Sequence, residues 1–374
     1  MCRGALLVSP YRKNSPSVNT VVRYNSEMGK ASLITIRSFG GEPERDAYVR
    51  SLKERQISYH DLYDMQCAEL AEIRDPRSFG KKPLPLTSLP DDRIVEYPWR
   101  NTAIRTVELH AFSELRTARN HNLITPEEQS IFATSHIAFA GLNVGNPGAV
   151  CVALEGGARS MSLADPDILL TANLNRFRAG LPDVGLNKAE LTTRQILEID
   201  PYYTLSVSAE GLTSGSLMQF LSEPKARVLV EEMDALPLKL FIRDEARKLG
   251  VPVVMVTGIG DGVLLDVERY DLDRNTPLLN GLLDRAVEDA IRSAESMSPE
   301  KKIKLAHDFI GTSYLEPRLN DSFAEIGNTL VGIPQIAESS FMRGAAIARA
   351  VRTIVCGGNM PSGRYSFSLS PCLK

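Results

Sequence analysis

The stretch 136–176 constrains the fold more than any other part of this chain. An apolar run, HIAFAGL, leads into a turn that carries Gly141, Gly145 and Gly148. A helical pattern follows, and then a second apolar run that ends at Asp165. This order of strand, glycine turn, helix, strand and acid is typical of nucleotide-binding units, in which the helix N-terminus faces phosphates and the acid holds a ribose. The stretch therefore predicts a nucleotide site.

Strand and helix patterns alternate over about 140 residues around this stretch, which indicates an α/β fold with a doubly wound, mostly parallel, Rossmann-like sheet. The pattern divides the chain into a flexible tail over 1–30, a small N-terminal αβ element over 31–90, a nucleotide-binding domain over 91–275 and a C-terminal part over 276–374. Three local signals are also clear: a β-hairpin with Trp99 near its turn, a helix in ITPEEQ that Thr125 caps, and an edge strand in SGRYSFSLS. The C-terminal part is expected to complete the sheet and to provide dimer or substrate surface. The N-terminal element is a candidate clamp for a peptide, which it would hold by strand addition.

Composition excludes several classes of protein. A formal net charge of -3 on 374 residues gives no reason to expect a nucleic-acid surface. The five cysteines are scattered singly, so they form no paired zinc framework, and we expect a reducing, cytoplasmic compartment and no structural zinc. Because no apolar run reaches about 18 residues, a membrane span is not expected.

Polar residues beyond the glycine turn distinguish between nucleotide chemistries. The turn alone is also found in dehydrogenases, and Asn143 stands where a dinucleotide fingerprint has its second glycine. A set of acids, amides and cations follows, comprising Asp165, Asp167, Asn173, Asn175, Arg176, Lys188 and Asp234. Hydride transfer has little need of such a set. Attack on the α-phosphate of ATP does, because cations balance the triphosphate charge and a carboxylate holds the Mg²⁺ that masks pyrophosphate.

These residues give the chain a resemblance to the ThiF and ubiquitin-activating family, whose members adenylate a carboxylate. The run ADPD, then NLNR, then a lysine that begins a helix, then an acid after a buried strand has the order and spacing of that family. Finer matches, GLNVGN, RTARN with ITPEEQ, EIDP, VEEMD, PVVMVT and LLDVERYD, resemble a bacterial branch that lacks zinc and is often joined to a nitroreductase-like domain. The resemblance covers about 60–270 and, more faintly, 334–357.

The resemblance implies a role for each matching residue. Asp165 would hold the ribose, with the turn residues Gly141, Asn143 and Gly145 and the polar residues Asp167 and Asn175 around the nucleotide. Asn173, Arg176 and Lys188 would contact the phosphates, and Asp234 would bind Mg²⁺. Arg116 or Arg119 would reach into the site of the other subunit, which implies a homodimer. No cysteine matches a thioester cysteine of the family, so a full ubiquitin-type transfer cycle is not expected.

Stand-alone members of this kind act on precursor peptides in natural-product pathways. The resemblance therefore implies ATP-dependent activation of a peptide carboxylate, a glutamate side chain of a ribosomal precursor, followed by ring formation with loss of water. Because activated carboxylates hydrolyse in water, a lid is expected, and the glycine-rich turn at 257–262 is the candidate. Three alternatives stay open: an adenylating enzyme for a sulfur-carrier or ubiquitin-like protein, a nicotinamide or flavin oxidoreductase, and a binding subunit without activity.

Overall fold

The structure is a computed structural model that describes residues 22–24, 34–293 and 298–369. Of the predicted tail over 1–30, only Val22–Tyr24 lies within the described residues, and it forms a short strand, which was not predicted. The twelve strands of the described chain are β1 Val22–Tyr24, β2 Thr35–Arg37, β3 Ser58–Asp61, β4 Asp92–Tyr97, β5 Thr102–Val107, β6 His136–Ala140, β7 Ser160–Ala164, β8 Thr204–Ser208, β9 Val228–Glu231, β10 Val253–Gly258, β11 Gly262–Glu268 and β12 Gly363–Ser368.

Twelve α-helices connect and cover these strands within the described residues. They are α1 Glu42–Glu54, α2 Tyr63–Arg74, α3 Leu109–Thr117, α4 Pro126–Thr134, α5 Gly145–Leu154, α6 Lys188–Ile199, α7 Leu217–Ser222, α8 Leu236–Leu249, α9 Arg285–Ser293, α10 Pro299–Ile310, α11 Pro317–Ser322 and α12 Ala337–Val355. None of the helices in the described part of the chain is both long and apolar enough to cross a bilayer.

The large sheet has eight strands in the order β1-β8-β7-β6-β9-β10-β11-β12. The first six run parallel, and β11 and β12 are antiparallel to their neighbours. Central strands such as β6 are buried at every position, as expected of parallel strands covered by helices on both faces. The predicted α/β class with a doubly wound, mostly parallel sheet is confirmed.

Two local predictions near the sheet are also confirmed. Helix α4 begins with the capping box that the motif ITPEEQ predicts, since Thr125 Oγ1 accepts from the backbone of Glu128 and the Glu128 carboxylate accepts from the backbone of Thr125. The run SGRYSFSLS contains β12, which pairs with β11 and forms one edge of the sheet. Both features were predicted because their signals lie within a few residues of each other.

The small N-terminal sheet has the order β2-β4-β5-β3. Strands β4 and β5 form the hairpin predicted around Trp99, but they pair with β2 and β3 instead of joining the large sheet. The predicted boundary at residue 90 is therefore wrong, because the N-terminal element extends through Val107. Its role as a peptide clamp stays a prediction.

Helices α5 and α12 pack closely over one face of the large sheet. A Cβ at Gly148 of α5 would lie 2.5 Å from the Ile347 side chain, and one at Gly344 of α12 would lie 2.8 Å from the Pro147 carbonyl oxygen. Such distances leave room only for glycine. This packing brings the C-terminal part of the chain, as far as it is described, against the helix that follows the glycine turn.

The glycine-rich turn at 257–262 connects two paired strands. Thr257 pairs with Leu264 and Gly258 with Val263 in the ladder of β10 and β11. Glu316 donates its backbone N–H to the carbonyl of Ile259 at 3.0 Å. These contacts connect the turn to the neighbouring strand and to the segment before α11, and a lid at this position stays a prediction.

Candidate nucleotide and anion site

The turn between β6 and α5 is shaped by its contact with the end of β9. Gly141 has φ +90°, and a Cβ there would lie 2.5 Å from the backbone carbonyl of Glu232. Glycine is required on both grounds, because other residues rarely adopt this φ and would collide with the neighbouring loop. Helix α5 begins at Gly145 without a side-chain cap. Its first N–H groups therefore suit a phosphate, as the sequence predicts.

Asp165 follows β7 and is buried, with 4% of its surface exposed. Its Oδ2 accepts from the backbone N–H of Leu142 at 2.6 Å, and its Oδ1 accepts from that of Asp167 at 2.8 Å. Burial raises the pKa of Asp165, which the two N–H groups and the charge of Lys188 oppose. The Asp165 carboxylate, predicted to hold the ribose, thus connects the glycine turn to the end of β7. Each of its oxygens keeps a lone pair that can accept a hydrogen bond from a ribose hydroxyl.

Lys188 begins α6 and reaches the same edge. Its side chain is 5% exposed, and its Nζ lies 2.9 Å from Oδ2 of Asp167, whose side chain is 63% exposed. Asn187 caps α6 by accepting from Ala189 N at 2.9 Å and donates to the carbonyl of Asp165 at 2.9 Å. The structure therefore brings Asp165, Asp167 and Lys188 together, as predicted.

The NLNR loop is held against the first turns of α12. Asn173 is buried, and its Oδ1 accepts from a backbone N–H three residues earlier at 2.9 Å. Asn175 donates to the carbonyl of Gln335 at 2.8 Å, and Ser340 Oγ donates to the carbonyl of Arg176 at 2.8 Å. Asn173 and Asn175 thus shape the loop, and α12 fixes the backbone position of Arg176.

Three arginines meet where this loop contacts α12. Buried nitrogens of Arg176 (Nε), Arg178 (Nη1) and Arg343 (Nε) have no hydrogen-bond partner. Their other hydrogen bonds go to neutral oxygens, such as the amide of Gln335, which lies 3.3 Å from both Nη atoms of Arg343. Among the described residues, none of the three forms an ion pair. Desolvated cations without a counter-charge need an anion, so the cluster is a candidate phosphate or carboxylate site.

Arg343 is the most deeply buried of the three, with 3% of its surface exposed. Burial lowers its pKa to about 10; the Glu232 carboxylate opposes this shift, and the charges of Arg176 and Arg178 add to it. The side chain therefore stays cationic at neutral pH. Sequence reasoning missed both Arg343 and Arg178. A signal for Arg343 exists, because it is a lone cation on the otherwise small and apolar buried face of α12.

Glu231 is the last residue of β9, and Glu232 and Asp234 follow it, but the environments of the three carboxylates differ. Glu231 is fully buried and pairs with Lys239 at 2.8 Å and with Arg243. Glu232 is also buried, and its Oε1 accepts from the backbone N–H of Val256 at 2.6 Å. Asp234 is exposed at the carboxyl edge. Only Asp234 is therefore free of the protein core.

The residues at this edge fit a Mg²⁺ ion that is shared with a nucleotide. Among the described residues, no cluster of three or more His, Cys, Asp or Glu side chains could hold a metal. Mg²⁺ is commonly bound by one or two carboxylates together with substrate phosphates and water. Asp234 supplies one such carboxylate, so an ion here would take its other ligands from phosphate oxygens and water.

Burial raises the pKa of the Glu232 carboxyl from its ordinary 4.5 to about 8, against the opposing charge of Lys239. The folded chain then holds a proton that the unfolded chain releases above pH 4.5, so stability is expected to fall as pH rises from 4.5 towards 8. Glu232 contributes at most about 1.4 kcal/mol per pH unit to the slope of the free energy of unfolding against pH. Glu232→Gln should remove this contribution, which denaturant unfolding between pH 4.5 and pH 8 would measure.

Glu127→Gln is the matched control for this prediction, because Glu127 is exposed on α4. It should leave the pH dependence of unfolding as in the parent chain. A Glu232→Gln variant with the same slope as the parent would show that Glu232 is ionised in the folded state.

The two candidates for an arginine donated across a dimer differ in the structure. Arg116 donates to the carbonyl of Ala153, and its Nη1 lies 3.7 Å from Oδ2 of the buried Asp200. Arg119 is exposed and has no partner among the described residues. Arg116 thus makes its contacts within its own subunit. Arg119 is left as the candidate for the arginine that reaches into the site of the other subunit.

No family model matches the chain. The chain is 35% identical to the uncharacterized protein MT1398 of Mycobacterium tuberculosis over 281 residues, which are 75% of this chain and 38% of that protein. It is 30% identical to the tRNA threonylcarbamoyladenosine dehydratase of Escherichia coli over 132 residues, 35% of this chain and 48% of that protein. The chain therefore spans less than half the length of either relative. The predicted resemblance to the ThiF and ubiquitin-activating family is confirmed.

Solved structures that align with the chain include PaaA, at 18% identity and a TM-score of 0.46 over 69% of this chain and 67% of that one. The Escherichia coli dehydratase TcdA with AMP aligns at 18% identity and 0.45, over 65% and 95% of the two chains. Escherichia coli MccB with ATP aligns at 15% identity and 0.44, over 64% and 66%. All three TM-scores lie below 0.5.

Proposed function

We propose that this chain binds ATP at the carboxyl edge of its sheet and activates a substrate carboxylate as an acyl adenylate. The observation that carries the proposal is the cluster of Arg176, Arg178 and Arg343. These desolvated cations form no ion pair among the described residues, and α12, which carries Arg343 and contacts the loop of the other two, packs on α5 beside its uncapped N-terminus. A triphosphate supplies the missing charge, and a hydride-transfer site would not need three such cations.

In this reaction a carboxylate oxygen of the substrate attacks the α-phosphorus of ATP. The bond from that phosphorus to the bridging oxygen breaks, and pyrophosphate leaves with the electron pair. Arg176, Arg343 and Lys188 would stabilise the charge that develops on the phosphates, and Asp165 would orient the ribose. Mg²⁺ bound at Asp234 would neutralise the departing pyrophosphate. A protonated Glu232 would add no negative charge beside the phosphates.

The finer proposal concerns the substrate. A dehydratase among the relatives supports a reaction that ends with loss of water, as condensation of an activated carboxylate with a nucleophile does. We therefore propose a glutamate side chain of a ribosomally made precursor peptide as the activated group, with ring formation as the outcome. A homodimer in which Arg119 enters the partner's site belongs to the same proposal.

Exchange of labelled pyrophosphate into ATP tests the activation step directly. We expect exchange that depends on Mg²⁺ and on a glutamate-containing peptide, and a rise in thermal stability with ATP and Mg²⁺. Exchange with a carrier protein that ends in Gly-Gly, and not with peptides, would favour the sulfur-carrier alternative. Tight NAD or flavin binding without any exchange would refute carboxylate activation.

A further inference from the structure

A cavity of about 750 Å³ lies between the carboxyl ends of β9 and β10 and the C-terminal helices α9 to α12. Its volume is in the range of sites that enclose most of a small ligand. Most of its wall is aliphatic or aromatic, and side chains from five separate segments contribute: Leu240, Met255, Leu279, Ile303, Phe309 and Leu319. The cavity is therefore a formed apolar chamber rather than a gap at a loop.

Part of the chamber wall is polar and adjoins the nucleotide site. Val144 of the glycine turn, Asp234 and Arg343 all line it. The Arg343 side chain is almost fully buried there, and its Nε has no partner. The Arg343 cation and the apolar wall thus face the same cavity. An occupant that matches both has an apolar body and an anionic group at the Arg343 end.

We infer that this chamber receives the apolar side chains that flank the activated carboxyl of a peptide substrate, with that carboxyl directed towards Arg343 and the α-phosphate. The inference rests on the proposed function and specifies its substrate class. A flexible Gly-Gly tail of a carrier protein has no side chains with which to fill the chamber. A peptide with polar residues next to its carboxyl would leave polar groups against the apolar wall, which costs binding free energy.

Anilinonaphthalene sulfonate is a suitable probe, because it joins an aromatic body to an anionic group and fluoresces when it binds in an apolar site. The full chain should bind it, and Ala306→Trp, which inserts a large ring from α10 into the chamber, should weaken binding by about tenfold or more. Ala286→Trp is the matched control, since Ala286 is an exposed alanine on the neighbouring helix α9. Ala306→Leu, a smaller insertion, keeps the test valid if the tryptophan variant fails to fold.

Blocked pentapeptides then identify the occupant by competition with the probe. A central glutamate flanked by leucine and phenylalanine should displace it, whereas the same peptide with serine and asparagine flanks, or one that ends in Gly-Gly, should not. Arg343→Gln should weaken the binding of the probe and the binding of the apolar peptide to a similar degree. Equal competition by the three peptides, or full probe binding in a cooperatively folded Ala306→Trp variant, would overturn the inference.

Thermal stabilisation by ATP and Mg²⁺ separates this inference from the proposed function. Ala306→Trp should keep the stabilisation while it loses the probe, because the substitution fills the chamber and leaves the phosphate-binding edge intact. If the parent chain shows no stabilisation by ATP, the proposed function fails; if only the probe results fail, the chamber has another role.

Discussion

Arg176→Gln should reduce ATP-dependent carboxylate activation by about a hundredfold or more, because it removes a cation that stabilises charge developing on the phosphates. The apoprotein should keep its thermal stability or gain slightly, since Arg176 is a desolvated cation whose hydrogen bonds reach only neutral oxygens. Stabilisation by ATP should be lost. A structural role for Arg176 predicts the opposite pattern, with an unstable apoprotein and an unchanged response to ATP.

Asp234→Asn should reduce carboxylate activation by a comparable factor, because the reaction is proposed to require Mg²⁺. The exposed carboxylate is proposed to bind Mg²⁺, so the variant should need far more Mg²⁺ for the same exchange rate, while its response to Mg²⁺-free ATP should change little. Arg349→Gln serves as the control for both variants, because Arg349 is exposed on the outer face of α12. A parent-like rate in Arg176→Gln or Asp234→Asn would remove that residue from the mechanism.

Arg243→Met is expected to destabilise the fold by about 3–5 kcal/mol at neutral pH, as breaking a buried ion pair does. Arg243 is fully buried; its Nε lies 2.7 Å from Oε2 of Glu268, and its Nη1 contacts Glu231. Burial alone raises the pKa of Glu231, but the charges of Lys239 and Arg243 outweigh it and hold this pKa below its ordinary value. Without Arg243, the Glu268 carboxylate loses its ion pair in the core, and Glu231 keeps only Lys239. Denaturant unfolding measures the loss.

The loss of unfolding free energy in Arg243→Met should become smaller as pH falls, because the buried carboxylates that lack Arg243 then take up protons. Arg243→Lys keeps the charge without the paired geometry and should cost less. The exposed ion pair of Lys248 with Glu245 supplies a control, since Lys248→Met should change stability little. A parent-like Arg243→Met variant would show that the network contributes no net stability.

The features that the sequence predicted correctly depend on residues close together in the chain. The strand, glycine turn and helix at 136–154 follow from a contiguous apolar pattern, and the cap of α4 follows from residues three positions apart. Asp165, Asp167 and Lys188 all belong to the connection from β7 to α6, and the rule that ligands bind at the carboxyl edge of such a sheet predicts where this connection lies. The local sequence pattern and one rule of sheet topology were sufficient to predict where the residues of this half of the site lie.

The features that were missed depend on contacts distant in sequence. Val22–Tyr24 pairs with β8, almost 200 residues later, and no local pattern marks so short a strand. The hairpin of β4 and β5 was recognised, but its choice of sheet depends on β2 and β3. Arg343 was missed because nothing near it in the chain shows that its side of α12 faces α5 and the NLNR loop. Helical periodicity marks a buried face, not the partner that buries it.

The close packing of α5 on α12 has a consequence for the order in which the protein is made. The glycine turn leaves the ribosome about 200 residues before Arg343, and contacts of such separation form late because the loop between them must first close. A growing chain therefore carries the βαβ unit before it has the cation that completes the proposed phosphate site. On the proposed function, competence to bind the nucleotide is acquired when α12 docks, as a late event of folding.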